Sequence, residues 1–332
     1  RAAGAGARVS AGDAAPGGAA GTGAEPAWRS LNAARRLGFR LLPGDAFSYV
    51  LHMRPREWPI MIAHCSLGWV LAMGRAATLR GERIGTLLAA LVVVVLLVNG
   101  ATLAINSAFD RDAGDVGYLD APPPVPRHLV AFSLALFALA VAVAARLPRP
   151  FFLTTAACVV MSLLYSVPPV RLKAVAGADW LINMIGFGTL TPYAGWAASG
   201  RPLTDAAAWA LVAFCPLFAA LYPLTQLYQI DEDRARGDRT LAIAVGMRAS
   251  LLLSIAFTVV AFACFARAAW LAGVEWSGAG ALLVALGAWL GVLAAWLWRH
   301  GAMTAEQHKR GMYLALGAWA VTDFAVLATF SR

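Results

Sequence analysis

The sequence predicts an all-α, polytopic membrane protein with about nine transmembrane helices. Three observations lead to this fold class. Of the 332 residues, 60% are hydrophobic and only 14% are charged, and the mean hydropathy is +0.66. A soluble domain of this length needs far more charge to cover its surface. Apolar runs of about 20 residues, the length of a helix that crosses a bilayer, recur along the chain.

The predicted spans follow an N-terminal extension. We expect residues 1–45 to form a disordered and interfacial extension, because they are first rich in Ala and Gly and then carry Arg35, Arg36 and Arg40. Residues 46–332 form the predicted transmembrane domain. Its spans cover about 57–74, 85–108, 128–145, 151–166, 180–198, 206–228, 250–271, 277–298 and 312–330.

The basic residues predict the orientation and exclude one class of partner. The net charge is +9, and most Lys and Arg lie in the N-terminal tail and in the loops after spans two, four, six and eight. These segments therefore face the cytoplasm, and we expect a multi-pass protein of a bacterial cytoplasmic membrane, surrounded by lipid. No single basic patch with interleaved aromatic residues exists, so nucleic-acid binding is not indicated. The four cysteines are isolated and show no metal-ligand spacing.

The pattern Asp-Arg-x-x-Gly-Asp occurs twice, each time where an apolar helix runs out into a polar loop. The copies lie at residues 110–115 and 233–238, and an amide residue, Asn106 or Gln229, precedes each copy by four residues. Carboxylates gathered at a membrane edge are costly unless a cation joins them. Hard oxygen ligands of this kind suit Mg²⁺, which is commonly held by one or two carboxylates together with substrate phosphates.

Each acidic motif ends a polar stripe on its predicted helix. The stripes consist of Asn99, Thr102, Asn106 and Asp110 in span two, and of Tyr222, Gln226, Gln229 and Asp233 in span six. Spacings of three and four residues place each set on one helix face. In a membrane such a face turns toward the bundle interior or a wet cavity. For Asn99 and Thr102 alone, hydrogen bonding between helices is an equally good interpretation.

The loop after span four places positive charge at the same membrane level. It contains two prolines, which fix an extended turn, followed by Arg171 and Lys173. Fixed cations and magnesium stabilise the charge that develops on a departing diphosphate. Charge that merely sets the membrane topology is the alternative interpretation of this loop.

In their order along the chain these motifs resemble the UbiA-type family of intramembrane prenyltransferases. The matching patterns are Asn-x3-Asp-x4-Asp after span two, Tyr-Ser-x-Pro-Pro-x-Arg-Leu-Lys after span four, and Asp-x3-Gly-x2-Thr-Leu after span six. The resemblance covers residues 50–330. It implies a helical bundle around a central cavity and a Mg²⁺-dependent enzyme. Such an enzyme transfers a polyprenyl group from a prenyl diphosphate to an aromatic, quinone-precursor or other lipophilic acceptor.

The resemblance also implies the roles of individual residues. The implied catalytic residues are Asp110, Asp115, Asp233 and Tyr165. The implied diphosphate contacts are Arg171, Lys173, Asn106 and Gln229. The implied magnesium ligands are Asn106, Asp110, Asp112, Asp115, Asp231 and Asp233.

Two departures from the family pattern leave ligands open. The first loop has one residue more than the common Asp-x3-Asp spacing, so either Asp112 or Asp115 could be the second carboxylate. In the second motif Gln229 stands where a first Asp is usual, and Asp231 could replace it.

Two other functions were weighed against prenyl transfer. A membrane transporter of an anionic substrate also uses paired half-sites, but it places ionisable groups near the bilayer midplane, whereas these collect at one face. An alcohol phosphotransferase carries a helical motif that begins Asp-Gly-x-x-Ala-Arg, which this chain lacks. The acceptor, the prenyl chain length and the oligomeric state stay open.

Several isolated polar residues have two interpretations. Asp323, in span nine, is either a cavity residue or a helix-pairing group. Asp179 and Asn183 either face the cavity or cap the fifth span. The five histidines show no metal spacing, and we expect them at the membrane interface.

Overall fold

A computed structural model describes residues 27–110, 117–175, 177–231, 234 and 240–331, and this part of the chain is helical. The helices in chain order are α1 (Ala27–Ser30), α2 (Ala33–Leu41), α3 (Ala46–His52), α4 (Trp58–Met73), α5 (Arg75–Leu79), α6 (Ile84–Asp110), α7 (Leu129–Ala144), α8 (Arg149–Ser166), α9 (178–198), α10 (Asp205–Leu224), α11 (Leu241–Val245), α12 (Met247–Leu271), α13 (Gly280–Ala302) and α14 (Ala305–Phe330). The predicted disorder of the first residues falls outside the described part.

Each predicted span contains a helix, but the helices differ in their capacity to cross a membrane. Within the described residues, six helices are long and apolar enough, namely α6, α8, α10, α12, α13 and α14. Helices α4 and α7 have 16 residues each. Helix α9 consists of two α-helical pieces joined by a π-helical stretch, Met184–Leu190. Length and composition therefore support membrane crossing for six of the nine predicted spans.

Two boundaries differ from the prediction because polar side chains set them. Helix α10 ends at Leu224 rather than near residue 228, and the Gln226 side chain accepts a hydrogen bond from the Ala242 backbone N–H at 3.2 Å. The prediction that Gln226 and Gln229 continue the helix face of Tyr222 is therefore wrong. Helix α14 begins at Ala305 rather than near residue 312, because Thr304 and Gln307 form a capping box at its N-terminus.

The buried core has two main parts. One lies among α10, α12, α13 and α14, around the fully buried Phe214 and Trp289. The indole N–H of Trp289 donates to Thr322 Oγ1 at 3.0 Å and so ties α13 to α14. The other part lies among α4, α6, α7, α8 and α9, around Trp69 and Phe151. The two parts flank the cavity described below.

Helices α4 and α9 approach each other more closely than any side chain would allow. A Cβ atom at Gly68 would lie 1.7 Å from the Pro192 carbonyl oxygen, and one at Gly195 would lie 1.8 Å from the Cys65 carbonyl oxygen. Small residues at such crossings let two backbones pack directly in a membrane. This contact fixes α4 against α9, and both helices line the cavity.

The N-terminal helices are attached to the loop that follows α6. The guanidinium group of Arg35 is buried and donates to the carbonyl oxygens of Trp28 and Ala121, each at 2.8 Å, and of Asp120. Arg56 forms a salt bridge of 2.5 Å with the Asp120 carboxylate. Arg35 of the predicted extension and Arg56, just before α4, thus hold the loop next to the first acidic motif.

We predict that Gly68→Ala destabilises the bundle, because the new methyl group collides with the rigid backbone of α9. Overpacking of this kind typically costs about 1–3 kcal/mol. The measurement is the thermal unfolding midpoint in detergent. Gly287→Ala on α13 is the matched control, since a Cβ there meets no atom within 4 Å. Equal midpoints for the two variants would contradict the close crossing.

Candidate active site

A cavity of about 560 Å³ lies between α4, α6, α8, α9, α10 and α14. Much of its wall is apolar, including Val94, Leu190 and the stacked rings of Phe187 and Phe218, whose centroids are 5.6 Å apart. Polar side chains interrupt this wall at several levels, among them Asn106 and Tyr165 near the ends of their helices and His64 and Asp323 within theirs. An apolar pocket with a few placed polar groups is the usual form of a site for a lipophilic small molecule.

The predicted polar stripe of α6 runs along this cavity. Asn99, Thr102 and Asn106 all line it, and Asp110 is the last residue of the helix. Thr102 Oγ1 lies 2.7 Å from Ser162 Oγ on α8, so this member of the stripe also joins two helices. The Asn99 amide is buried and has no hydrogen-bond partner among the described residues, which leaves it available to a molecule in the cavity.

The structure brings the predicted basic loop onto the end of α6. Arg171 Nη2 donates to Asp110 Oδ1 at 2.9 Å, and Lys173 Nζ contacts the same oxygen. Lys173 Nζ also donates to Asn106 Oδ1 at 2.5 Å. The Lys173 side chain is only 10% exposed and that of Asp110 18%, so the charges meet in a largely desolvated place. Arg171 has a left-handed backbone conformation, φ 36°, which turns the chain back toward α6.

The oxygen atoms of Asn106 and Asp110 suit a magnesium ion. Both lie in contact with one cationic nitrogen, Lys173 Nζ, so they converge on a single point. Both are hard donors of the kind that Mg²⁺ prefers. In the described part of the chain no group of three or more His, Cys, Asp or Glu side chains forms a metal cluster. A magnesium ion would therefore need further oxygens, from phosphates or from residues outside that part.

The other predicted ligands lie in different surroundings. Asp112, Asp115 and Asp233 fall outside the described residues. Asp231 is on the surface, with 91% of its side chain exposed, and pairs with Arg234 at 3.2 Å. Gln229 is half-buried and donates its backbone N–H to the Gln226 carbonyl.

Tyr165 belongs to a network that joins the ends of three helices. Its hydroxyl lies close to the side chains of Asn183 and Tyr222. The Tyr222 hydroxyl donates to Asp179 Oδ2 at 3.0 Å, and Asp179 Oδ1 accepts from the Gly177 backbone N–H. Asp179 is thus buried at the start of α9, where it orients Tyr222, while Asn183 and both tyrosines line the cavity.

Three lining residues that sequence reasoning missed lie at the junction of α3 and α4 and in the loop after α6. They are Arg54, Glu57 and Tyr118. Arg54 and Tyr118 have left-handed backbone conformations, φ 51° and 63°. Burial raises the pKa of Glu57 to about 7, and the Arg54 charge opposes this rise. Burial and the Glu57 charge also raise the pKa of Tyr118. The sequence signal that could have identified Glu57 as a lining residue was its position between Arg54 and Trp58, at the predicted start of span one.

A second pair joins a missed residue, His64, to Asp323, for which both predicted interpretations hold. His64 Nδ1 on α4 is 3.4 Å from Asp323 Oδ1 on α14, and both side chains line the cavity. The expected interfacial position is therefore wrong for His64, which is buried between Phe214 and Trp319. Asp323 is a cavity residue that also pairs two helices. His64 stands within an apolar span, and this placement was the signal for burial.

Comparisons with known proteins all lead to one family. The model of the UbiA prenyltransferase family matches residues 66–317. The digeranylgeranylglyceryl phosphate synthase of Natronomonas pharaonis is 33% identical over 174 residues, 51% of this chain and 61% of that protein. The protein of the same name from Methanoregula boonei is 35% identical over 194 residues, 53% of this chain and 63% of that protein. The chain thus matches a little over three-fifths of the length of these relatives.

Solved structures share the fold. A UbiA homologue from Archaeoglobus fulgidus, solved with DMAPP and Mg²⁺, has a TM-score of 0.61 and 18% identity, covering 84% of this chain and 99% of that one. A structure described as that of a digeranylgeranylglyceryl phosphate synthase has a TM-score of 0.64 and 13% identity, covering 85% and 97%.

We predict that Glu57→Gln changes how stability depends on pH. A carboxyl group whose pKa rises on folding, from 4.5 to about 7, stabilises the fold below pH 4.5 and loses this contribution as pH rises through 7. Replacing it should therefore stabilise the protein above pH 7, by up to about 3 kcal/mol relative to acidic pH. His52 has the opposite effect on the pH dependence of stability, because burial lowers its pKa to about 4. In the Glu57→Gln variant the effect of His52 remains and is no longer offset by Glu57.

The measurement is the thermal unfolding midpoint of both proteins between pH 4 and pH 8. Glu275→Gln, at an exposed position, is the control and should follow the unaltered protein. Parallel curves for Glu57→Gln and the unaltered protein would show that Glu57 is not buried as described.

Proposed function

This chain belongs to the UbiA prenyltransferase family, and we propose that it transfers a polyprenyl group from a prenyl diphosphate to a lipophilic acceptor within the membrane. One observation carries the proposal. At an apolar cavity, the oxygens of Asn106 and Asp110 meet the cations of Arg171 and Lys173. Carboxylate and amide oxygens beside fixed cations suit a diphosphate with its metal ions, and the cavity suits its hydrocarbon chain.

The basic residues have the main electrostatic task in this reaction. The bond between the allylic carbon and the diphosphate oxygen breaks, and the leaving group takes the electron pair. Arg171 and Lys173 stabilise the resulting negative charge, and Lys173 does so from a largely desolvated position. Asn106 and Asp110 would hold Mg²⁺, with Asp112, Asp115, Asp231 and Asp233 as further predicted ligands. Magnesium, when bound, neutralises charge on the leaving diphosphate.

The cavity wall protects the allylic cation. The Tyr165 and Tyr222 rings line the cavity beside Asn183, and aromatic faces attract positive charge. The apolar wall below them excludes bulk water, which would otherwise trap the cation as an alcohol. Tyr222 is held in place by Asp179, so its ring cannot swing freely out of the wall.

The membrane arrangement forms part of the proposal. We infer nine crossings, with the shorter α4 and α7 and the interrupted α9 completing the six long spans. Asp110, Arg171 and Lys173 gather close together, and we propose that they face the cytoplasmic side of a bacterial membrane, in agreement with the distribution of basic residues. The transporter alternative has no support in the family comparison.

Enzyme assays decide whether the proposal holds. The purified protein is offered allylic prenyl diphosphates of several lengths with an acceptor panel, with and without Mg²⁺. The panel includes quinone precursors and a glyceryl phosphate lipid, because two relatives are named digeranylgeranylglyceryl phosphate synthases. We expect Mg²⁺-dependent diphosphate release with at least one pair. No release from any combination would contradict the proposal.

We predict that Asp110→Asn and Lys173→Ala each lower turnover by about 100-fold or more, since each removes charge that contacts the leaving group or its metal. Asp233→Asn should have a similar effect. The measurement is the rate of diphosphate release at saturating substrate, together with the unfolding midpoint of each variant.

Lys309→Ala is the matched control for Lys173→Ala, because Lys309 is the only other lysine of the chain. It lies on α14 and is not among the residues that line the cavity. Full activity in Asp110→Asn and Lys173→Ala would remove the basis for placing the diphosphate at this end of the cavity.

A further inference from the structure

A second, smaller pocket lies outside the active site, among the N-terminal helices. It encloses about 160 Å³ and is lined by Arg29, Arg36, Phe39 and Arg40. Three guanidinium groups thus surround one small space, and none of the lining residues in the described structure is acidic. These residues do not line the active-site cavity, so the diphosphate chemistry does not use them. Positive charge gathered in this way attracts an anion, and guanidinium groups match the geometry of phosphate oxygens.

Aromatic packing holds Arg29 at this pocket. Its guanidinium carbon lies 5.0 Å from the centre of the Phe39 ring and 5.9 Å from that of Trp28. Phe39 in turn meets Phe47 edge to face, with ring centroids 5.0 Å apart. Arg29 Nε is buried and has no hydrogen-bond partner among the described residues. An unpaired buried donor costs free energy, and an anion in the pocket that accepts from Nε would remove this cost.

Helix α2 exposes leucine side chains next to the arginines of the pocket. Arg36 and Arg40 are four residues apart and share one helix face, while Leu37 and Leu41 share the adjacent face. The two leucines are 56% and 70% exposed. Large apolar side chains beside arginines on one short helix are typical of a helix that lies in the interface of a membrane.

The contacts of α2 place it at the level of the lipid headgroups. Gly38 packs against α3, because a Cβ there would lie 2.3 Å from the Phe47 ring. Arg35 donates to the carbonyl oxygens of Asp120 and Ala121 in the loop after α6. Helix α6 is long and apolar enough to cross a membrane, so the loop that follows it lies where the hydrocarbon region ends. The pocket is therefore within reach of lipid phosphate groups.

We propose that this pocket binds the phosphate group of an anionic phospholipid of the surrounding membrane. Arg29, Arg36 and Arg40 donate hydrogen bonds to the phosphate oxygens, and Leu37 and Leu41 pack against the acyl chains. The charge and the apolar face together identify the ligand as a lipid, because a soluble phosphate needs only the charge. A phospholipid with a net negative charge is favoured over a zwitterionic one, whose headgroup brings a cation of its own to the arginines.

The test is native mass spectrometry of the whole chain in a non-ionic detergent. The protein is titrated separately with phosphatidylglycerol and with phosphatidylcholine of the same acyl chains. We expect one phosphatidylglycerol molecule to bind about tenfold or more tightly than phosphatidylcholine. The double variant Arg29→Gln/Arg40→Gln should lose this preference, since each basic residue near a membrane surface contributes about fivefold. Equal affinity of the unaltered protein for the two lipids would contradict the proposal.

Two further double variants separate this site from general charge and from structure. Arg146→Gln/Arg149→Gln is the matched control, because both residues are exposed at the junction of α7 and α8. It loses the same charge and should keep the preference for phosphatidylglycerol, whereas a loss equal to that of Arg29→Gln/Arg40→Gln would overturn the assignment. Arg29→Lys/Arg40→Lys retains the charge and should bind within about fivefold of the unaltered protein. Binding as weak as in the Gln variant would assign the two arginines a structural role instead.

A last comparison distinguishes a lipid from a soluble anion. Leu37→Gln/Leu41→Gln keeps the arginines but removes apolar contact with the acyl chains, so it should weaken phosphatidylglycerol binding by about fivefold or more. Inorganic phosphate should displace phosphatidylglycerol only at concentrations about 100-fold higher or more. Displacement at similar concentrations, together with unchanged lipid binding in the leucine variant, would show that the pocket takes a free anion and would contradict the proposed lipid.

Discussion

The arrangement of this protein depends on the contact between Asp110 and the two cations Arg171 and Lys173. An anion at the end of a membrane helix is costly unless an opposite charge lies close to it. The basic loop supplies that charge and is thereby held against α6. The same contact gathers oxygen and nitrogen groups at one end of the cavity, where we propose that a diphosphate and its metal ions bind.

The cavity below this contact combines two requirements. Its apolar wall can hold a long hydrocarbon chain and exclude water, whereas its upper part carries the tyrosine and carboxyl groups. The close crossing of α4 and α9 at Gly68 and Gly195 makes the wall on that side rigid. Asp179 contributes indirectly, because its carboxylate accepts a hydrogen bond from Tyr222 and orients that side chain.

The segment before the first span contributes to the site as well. Arg35 donates to three backbone carbonyls of neighbouring segments, two of them in the loop after α6, and Arg56 pairs with Asp120 in that loop. Left-handed conformations at Tyr118 and Ala121 are sterically unfavourable for residues with side chains, so they need such support. The predicted N-terminal extension is therefore connected to the cavity through this loop, which contains the lining residue Tyr118.

The sequence by itself determined the membrane class, the approximate positions of the long helices and the level of Arg171 and Lys173 near the end of α6, because hydropathy and motif order are local properties. That Asp110 pairs directly with these two cations is a result of the tertiary structure. The sequence did not determine that α10 stops at Leu224, since a hydrogen bond from a distant backbone N–H to Gln226 sets that end. It also gave no role to Glu57 or His64 and left two interpretations open for Asp323. A single polar residue acquires a definite role only when helices far apart in sequence bring it to a common cavity. Burial and long-range proximity are properties of the tertiary structure, and they decide that Glu57 and Asp323 line the cavity whereas Asp179 binds Tyr222.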